Sequence, residues 1–310
     1  MPKRLKLVRA MKCCNFAAGA GADVTVGTGA PGAAAGAGVG AGTGAPGAAA
    51  CAGAPGAAAG AGAPGAAAGA GAAVANASTG TPSTFNPREN LARSLRVYAV
   101  TDRHWLGLPA TASEEDARTA LCAQVRAALA GGATFVQMRE KHLPHQAMVA
   151  QAKALQHLCH EANVPFVVND AVDVALEAHA HGVHIGQDDM SVKEARALLG
   201  AHKILGVSAQ TVEQAVQAER DGADYLGVGA VFPTSSKDDA AEVSHETLCA
   251  ICQAVHIPVV AIGGITCENV SELANSDIVG VAVISAIFGA RDITLAAGRL
   301  ARATEVLLSQ

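Results

Sequence analysis

From Arg96 to the C-terminus, short apolar runs rich in β-branched residues alternate with longer stretches of mixed polarity. The runs are Val97–Val100, Thr134–Met138, Pro165–Val168, Gly182–Ile185, Ile204–Val207, Tyr225–Val228, Pro258–Ile262 and Ile278–Val283. Several are almost continuously apolar, the pattern of parallel strands buried on both faces. Helical periodicity lies between them, over Glu114–Ala130, Gln146–Glu161, Val192–Leu199 and Val212–Arg220. Gly131-Gly132, Gly200 and Gly222 sit where those helices should stop. Alternating strands and helices imply right-handed crossovers and a parallel sheet. Eight such units favour an α/β protein of the closed (β/α)8 TIM-barrel class over an open doubly wound sheet.

The polar residues keep step with this rhythm. Strand 1 runs into Thr101 and Asp102, strand 2 into Gln137, Arg139 and Lys141, and strand 3 into Asn169 and Asp170. Strand 4 is followed by Gln187, Asp188 and Asp189, strand 5 by Ser208, and strand 6 by Thr234, Ser236 and Lys237. Strand 7 ends in Gly263-Gly264 and strand 8 in Ser285. One polar strand end is usually a turn or a helix cap. In a barrel, however, all these positions converge on one mouth, where barrel enzymes carry out their chemistry.

Composition divides the chain. The first 85 or so residues are mostly Ala, Gly and Pro, and Gly-Ala-Pro-Gly-Ala-Ala-Ala recurs between Gly27 and Ala72. The repeat carries no bulky apolar side chain, so stacked copies would bury too little to offset the entropy of ordering them. Gly and Pro recur too often for a helix, and glycine does not fall at every third position as collagen requires. We therefore expect a disordered tail over residues 1–90 and a catalytic barrel over 91–310. Lys3, Arg4, Lys6, Arg9 and Lys12 precede the first acidic residue, Asp23. That basic start leaves organelle targeting open beside a cytoplasmic location.

Net charge is −5 with no basic stripe, and aromatics are scarce, which argues against nucleic acid. No apolar run reaches the roughly 20 residues that span a bilayer. Cys249-x-x-Cys252 has metal-like spacing, but no second pair matches it, so it reads as two small residues on a helix. Unpaired thiols suit a reducing compartment. His179, His181 and His184 are separated by a helix end, a turn and a strand, and read as packing residues rather than ligands.

At the mouth, Gly263-Gly264 and Ser285 occupy the barrel phosphate position, where backbone N–H groups approach the oxygens. Arg139 and Lys141, two apart, should leave on one face. With Lys237 they bring more positive charge than a monophosphate needs, which points to a pyrophosphate. Asp170 and Asp189 end neighbouring strands, and two carboxylates beside phosphate oxygens suit Mg2+. A helix cap is the alternative use for either, and physics alone does not separate Asp188 from Asp189.

With those residues in view, the chain resembles the thiamine-phosphate synthase family. The resemblance rests on Val97-Tyr98-Ala99-Val100-Thr101-Asp102, Gln137-Met138-Arg139-Glu140-Lys141, Val168-Asn169-Asp170, Gly182-Val183-His184-Ile185-Gly186-Gln187-Asp188-Asp189 and Gly206-Val207-Ser208. It continues through Gly229-Ala230-Val231-Phe232-Pro233-Thr234-Ser235-Ser236-Lys237, Ala261-Ile262-Gly263-Gly264-Ile265 and Val283-Ile284-Ser285-Ala286-Ile287. These stretches stand in family order over roughly residues 95–293.

The resemblance implies a transferase of thiamine biosynthesis. A thiazole phosphate nitrogen would displace pyrophosphate from hydroxymethylpyrimidine pyrophosphate, through a pyrimidine carbocation, to give thiamine phosphate. It also implies roles. Asp170 and Asp189 correspond to the magnesium ligands. Gln137, Arg139, Lys141, Asn169, Ser208 and Lys237 correspond to pyrimidine pyrophosphate contacts, with Arg139, Lys141, Ser208 and Lys237 carrying the catalytic charge stabilisation. Thr234 and Ser236 correspond to contacts with the thiazole carboxylate or phosphates, and Gly264, Ile284 and Ser285 to the thiazole phosphate cradle. Ser236 stands where the family often has threonine, and Asp238–His245 is more acidic than its usual counterpart. A thiazole tautomerase or a sugar-phosphate epimerase would have little use for paired cations and aspartates, and a non-catalytic precursor sensor would bind without turnover. The partners expected are these small molecules, with no nucleic acid or membrane. Homo-oligomerisation is left open.

Overall fold

The computed structural model describes residues 86–109, 111–234 and 242–310. The repeat tail, the basic N-terminus, Ser236 and Lys237 lie outside the described residues, as does the first half of the acidic segment after them.

Eight strands close on themselves in sequence order, every neighbouring pair parallel. They are β1 Val97–Val100, β2 Phe135–Met138, β3 Phe166–Asn169, β4 Gly182–Ile185, β5 Ile204–Ala209, β6 Tyr225–Val228, β7 Val259–Ile262 and β8 Gly280–Val283. The helices around them are α1 Leu91–Ser94, α2 Glu114–Ala130, α3 His145–Glu161, α4 Val172–Glu177, α5 Val192–Leu199, α6 Val212–Arg220, α7 His245–Ala254, α8 Ser285–Phe288 and α9 Ile293–Leu308. The barrel class expected from the alternating pattern is therefore the observed one. Local chemistry sets the helix starts: Ser113 with Asp116, and Ser191 with Glu194, form reciprocal capping boxes at α2 and α5.

Strand alternation sorts the core into two compartments. Val97, Ala99, Val136, Met138, Val183 and Ile185 face outward and join the larger cluster under the helices. Tyr98, Val100, Phe135, Val167, Ile204, Tyr225, Val260 and Ala282 fill the barrel itself. Both tyrosines of the chain are in this interior. Tyr98, Phe135 and Tyr225 meet edge to face, with centroids 4.5, 5.7 and 6.0 Å apart. Such pairs contribute about 0.5–1.5 kcal/mol each beyond the area they bury. They make a packed floor and leave the upper interior positions for a site.

Candidate active site

Above that floor opens a cavity of about 360 Å³, lined from all eight strands or the loops that follow them. β2 contributes Gln137, Arg139 and Lys141, β3 Asn169 and Asp170, and β4 His184, Gln187, Asp188 and Asp189. Ser208 and Thr234 face in from β5 and the loop after β6, and Gly264, Ile284 and Ser285 from the ends of β7 and β8. Of the described residues singled out from the sequence for this mouth, all but Thr101 and Asp102, which hold Arg139, line this one cavity. Ser236 and Lys237 lie outside the described residues.

Strand parity explains the β2 end. Gln137, Arg139 and Lys141 share the inward parity, while Glu140 between them turns outward and is buried. Glu140 accepts from Gln151 Nε2 at 2.7 Å and from Arg103 Nε at 3.3 Å. The loop is thus pinned from behind while its two cations face the cavity. Arg139 is steered in turn: its backbone N–H donates to Thr101 Oγ1 at 3.1 Å, and its guanidinium to Asp102 Oδ2 at 3.4 Å. The sequence reading placed Asp102 at the mouth without assigning it this guiding contact.

The carboxylates are not spent on helix caps. α4 begins after Ala171 with no side-chain cap, and Ser191 caps α5. Asp170 has φ +63°, a left-handed conformation unusual outside glycine but tolerated by Asp and Asn. Its N–H donates to the His184 carbonyl at 2.8 Å, which ties β3 to β4 beneath the carboxyl. Asp189 Oδ2 accepts from the Gly186 N–H at 2.7 Å, closing a tight turn at the end of β4. That bond separates Asp189 from Asp188 and leaves its other oxygen for a ligand. Among the described residues, no group of three or more His, Cys, Asp and Glu gathers as a metal cage. Two hard carboxylates at one rim match a cation that takes its remaining ligands from phosphate and water.

Across the mouth, Gly263 and Gly264 both have positive φ, +100° and +64°. A Cβ on Gly264 would lie 2.5 Å from the Pro233 carbonyl oxygen, so a side chain there would close the rim. The histidines do not form a cluster. His181 Nδ1 accepts the Phe166 N–H at 2.9 Å, while His184 stands inside the barrel. Cys252 is a free thiol on α7, and the Cys249 sulfur lies 3.7 Å from His245 Nδ1.

The sequence model of the thiamine monophosphate synthase family matches residues 107–287. The chain belongs to this family. It is similar to the thiamine-phosphate synthase of Clostridium tetani, with 46% identity over 204 residues, which cover 66% of this chain and 93% of that protein. With its counterpart from Moorella thermoacetica it shares 52% over 177 residues, or 57% of this chain and 84% of the relative. Among solved structures, thiamine phosphate pyrophosphorylase from Pyrococcus furiosus superposes with a TM-score of 0.63 at 41% identity. It covers 71% of this chain and 100% of its own.

One feature of this synthase-family cavity was missed from sequence. Gln137 Nε2 donates to Tyr98 Oη at 2.6 Å, and Tyr98 Oη lies 2.7 Å from Tyr225 Oη. Tyr225 Oη is 2.9 Å from His184 Nδ1, and His184 Nε2 is 3.0 Å from Ser208 Oγ. Two residues singled out for substrate are therefore the ends of one hydrogen-bonded file. The usable signal was parity, because all five residues hold inward positions on their strands.

Proposed function

We propose that this cavity couples hydroxymethylpyrimidine pyrophosphate to a thiazole phosphate, releasing thiamine phosphate and pyrophosphate. The observation that carries the reading is the sharing of one rim by Arg139, Lys141, Asp170 and Asp189, opposite the Gly264–Ser285 side. A monophosphate isomerase would need only the second half of that arrangement.

In the proposed reaction the methylene–oxygen bond to pyrophosphate breaks, and the thiazole nitrogen forms a bond to the same carbon. Arg139 and Lys141 bind the departing oxygens and offset their growing negative charge. Such preorganised charge is worth more in a cavity than in water, because it need not reorganise as the bond breaks. Ser208 adds a hydroxyl to the same group. Gln137 and Asn169, at the ends of β2 and β3, hold the pyrimidine. Thr234 meets the thiazole, and Gly264, Ile284 and Ser285 cradle its phosphate. Ser236 and Lys237 are assigned to thiazole and pyrophosphate from the sequence resemblance alone. Asp170 and Asp189 would hold Mg2+, which when bound adds positive charge beside the leaving group.

We place the enzyme in a reducing compartment, the cytoplasm. Cys122, Cys159, Cys252 and Cys267 are free thiols, which suits such a setting. No helix among the described residues is long and apolar enough to cross a membrane.

The test is direct: incubate the purified chain with both precursors and Mg2+, omit each in turn, and measure thiamine phosphate. Product only in the complete mixture is expected. Binding of thiazole phosphate without coupling would overturn the reading.

A further inference from the structure

The file across the barrel has ends and a direction. It begins at Gln137, passes Tyr98, Tyr225 and His184, and finishes at Ser208, so it joins strands β2, β1, β6, β4 and β5. Gln137 Nε2 can only donate, so Tyr98 Oη accepts there. The phenol then has one hydrogen to place, and its acceptor is Tyr225 Oη. Tyr225 in turn donates to His184 Nδ1. An imidazole that accepts at Nδ1 carries its hydrogen at Nε2, and that N–H donates to Ser208 Oγ. The hydroxyl hydrogen of Ser208 is left to point into the cavity. In the opposite sense, Tyr98 would accept from both Gln137 and Tyr225, and its own hydrogen would have no acceptor among the described residues.

The surroundings are shaped for this file. An added Cβ on Gly206 would come within 2.1 Å of Tyr225 Cζ and 2.5 Å of His184 Nδ1, so glycine makes room for the pair. Burial raises the pKa of both phenols, which keeps their hydrogens in place. Gln187 Nε2 donates to the Ser208 carbonyl at 2.6 Å and fixes the backbone that carries the hydroxyl. Chains of this kind polarise one another and hold a single orientation better than isolated pairs.

We propose that Tyr98 and Tyr225 are positioning residues: acting through the Nε2–H tautomer of His184, they hold the Ser208 hydroxyl as a hydrogen-bond donor to the oxygens of the substrate. The identity of that substrate rests on the coupling reaction proposed above. Tyr98 lines the cavity and Tyr225 does not.

Two measurements test the file. The first is the nitrogen NMR spectrum of 15N-histidine-labelled full-length protein, with His184 assigned by its loss in His184→Gln. The Nε2–H tautomer is expected in the native chain, and Tyr225→Phe should convert it to a mixture. An Nδ1–H tautomer in the native chain overturns the proposal, and so does a spectrum unmoved by Tyr225→Phe. The second is a double-mutant cycle on turnover. Tyr225→Phe should lower kcat about tenfold, the equivalent of one hydrogen bond, with KM little changed. In a Ser208→Ala background the same change should have almost no effect. An equal loss in both backgrounds shows a merely structural tyrosine and overturns the proposal. The NMR measurement on the native chain needs no variant to fold. If the native chain makes no thiamine phosphate, the reading of the reaction falls, while the tautomer still decides the file.

Discussion

Gly206→Ala tests how tightly the barrel interior is built, and its magnitude can be worked from the structure. The new methyl would sit 2.1 Å from Tyr225 Cζ and 2.3 Å from its hydroxyl oxygen. Carbon atoms pack at about 3.5–4.0 Å, so the ring must retreat by more than 1 Å. Tyr225 is fully buried against Tyr98 and Phe135 and has no open side to move into. Overpacking of this kind costs about 1–3 kcal/mol. Displacing the hydroxyl breaks its bonds to Tyr98 and His184, each worth about 1 kcal/mol. Alanine returns about 0.4–1 kcal/mol by restricting the unfolded chain. The balance is a loss of about 3 kcal/mol, a fall in Tm of about 6–12 °C for a domain of this size. Gly227→Ala is the control, because its methyl would meet only the His184 ring, at 3.2 Å from Cε1 and 3.6 Å from Nε2. A small shift relieves that contact, so the cost should stay below about 1 kcal/mol. Circular dichroism melts of both variants decide the matter. If Gly206→Ala melts within about 2 °C of the native chain, or if Gly227→Ala falls as far, the picture of a filled floor beneath the cavity is wrong.

Three further outcomes are expected. Asp170→Asn keeps a residue that tolerates positive φ and removes only the charge, so it should melt like the native chain and turn over at least about 10²-fold more slowly; near-normal turnover at limiting magnesium would refute Asp170's part in holding the ion. Burial, with His160 and Lys203 nearby, pushes the His181 pKa down to about 4. The unfolded chain takes up that proton near pH 6.5, so the contribution is whole above that pH and is lost as pH falls toward 4, a cost of about 2–3 kcal/mol; melts at pH 7 and 4.5 should show His181→Gln losing less than the native chain, and equal losses would count against it. Deleting residues 1–85 should leave turnover unchanged, since the repeat holds nothing that could add to a packed core; a soluble truncated protein with little activity would contradict this.

The strands were legible because a parallel barrel strand is apolar on both faces, so hydrophobicity and pairing coincide along most of its length. They part company at the mouth. The apolar runs stop at Val168 and Val207, but β3 pairs on through Asn169 with His184, and β5 through Ser208 and Ala209 with Gly227 and Val228. Asn169 and Ser208 are therefore strand residues with fixed directions rather than loop residues, which a hydrophobic pattern cannot reveal. The same limit hid the conformation of Asp170, since a left-handed residue leaves no mark on periodicity. The candidate residues themselves could be read because each follows a strand, and closure of the barrel brings strand ends together.

The Tyr98–Tyr225–His184 file was not legible for a different reason. Its bonds cross the barrel between strands that are distant in sequence, such as β1 with β6 over a separation of 127 residues. Local pattern ranks Tyr98 and Tyr225 as ordinary aromatic strand residues and His184 as packing. Once eight strands are known to close, parity supplies the missing step. Tyr98 lies two before the inward Val100, and His184 and Ser208 lie two after the inward Gly182 and Gly206. Tyr98, Gln137, His184 and Tyr225 are buried together at the barrel centre, where each polar group left unpaired would cost about 1–3 kcal/mol. Inward polar residues that share a layer are therefore favoured to bond to one another. The residue types decide only the direction of the file, and the amide of Gln137, which donates, sets that direction toward Ser208.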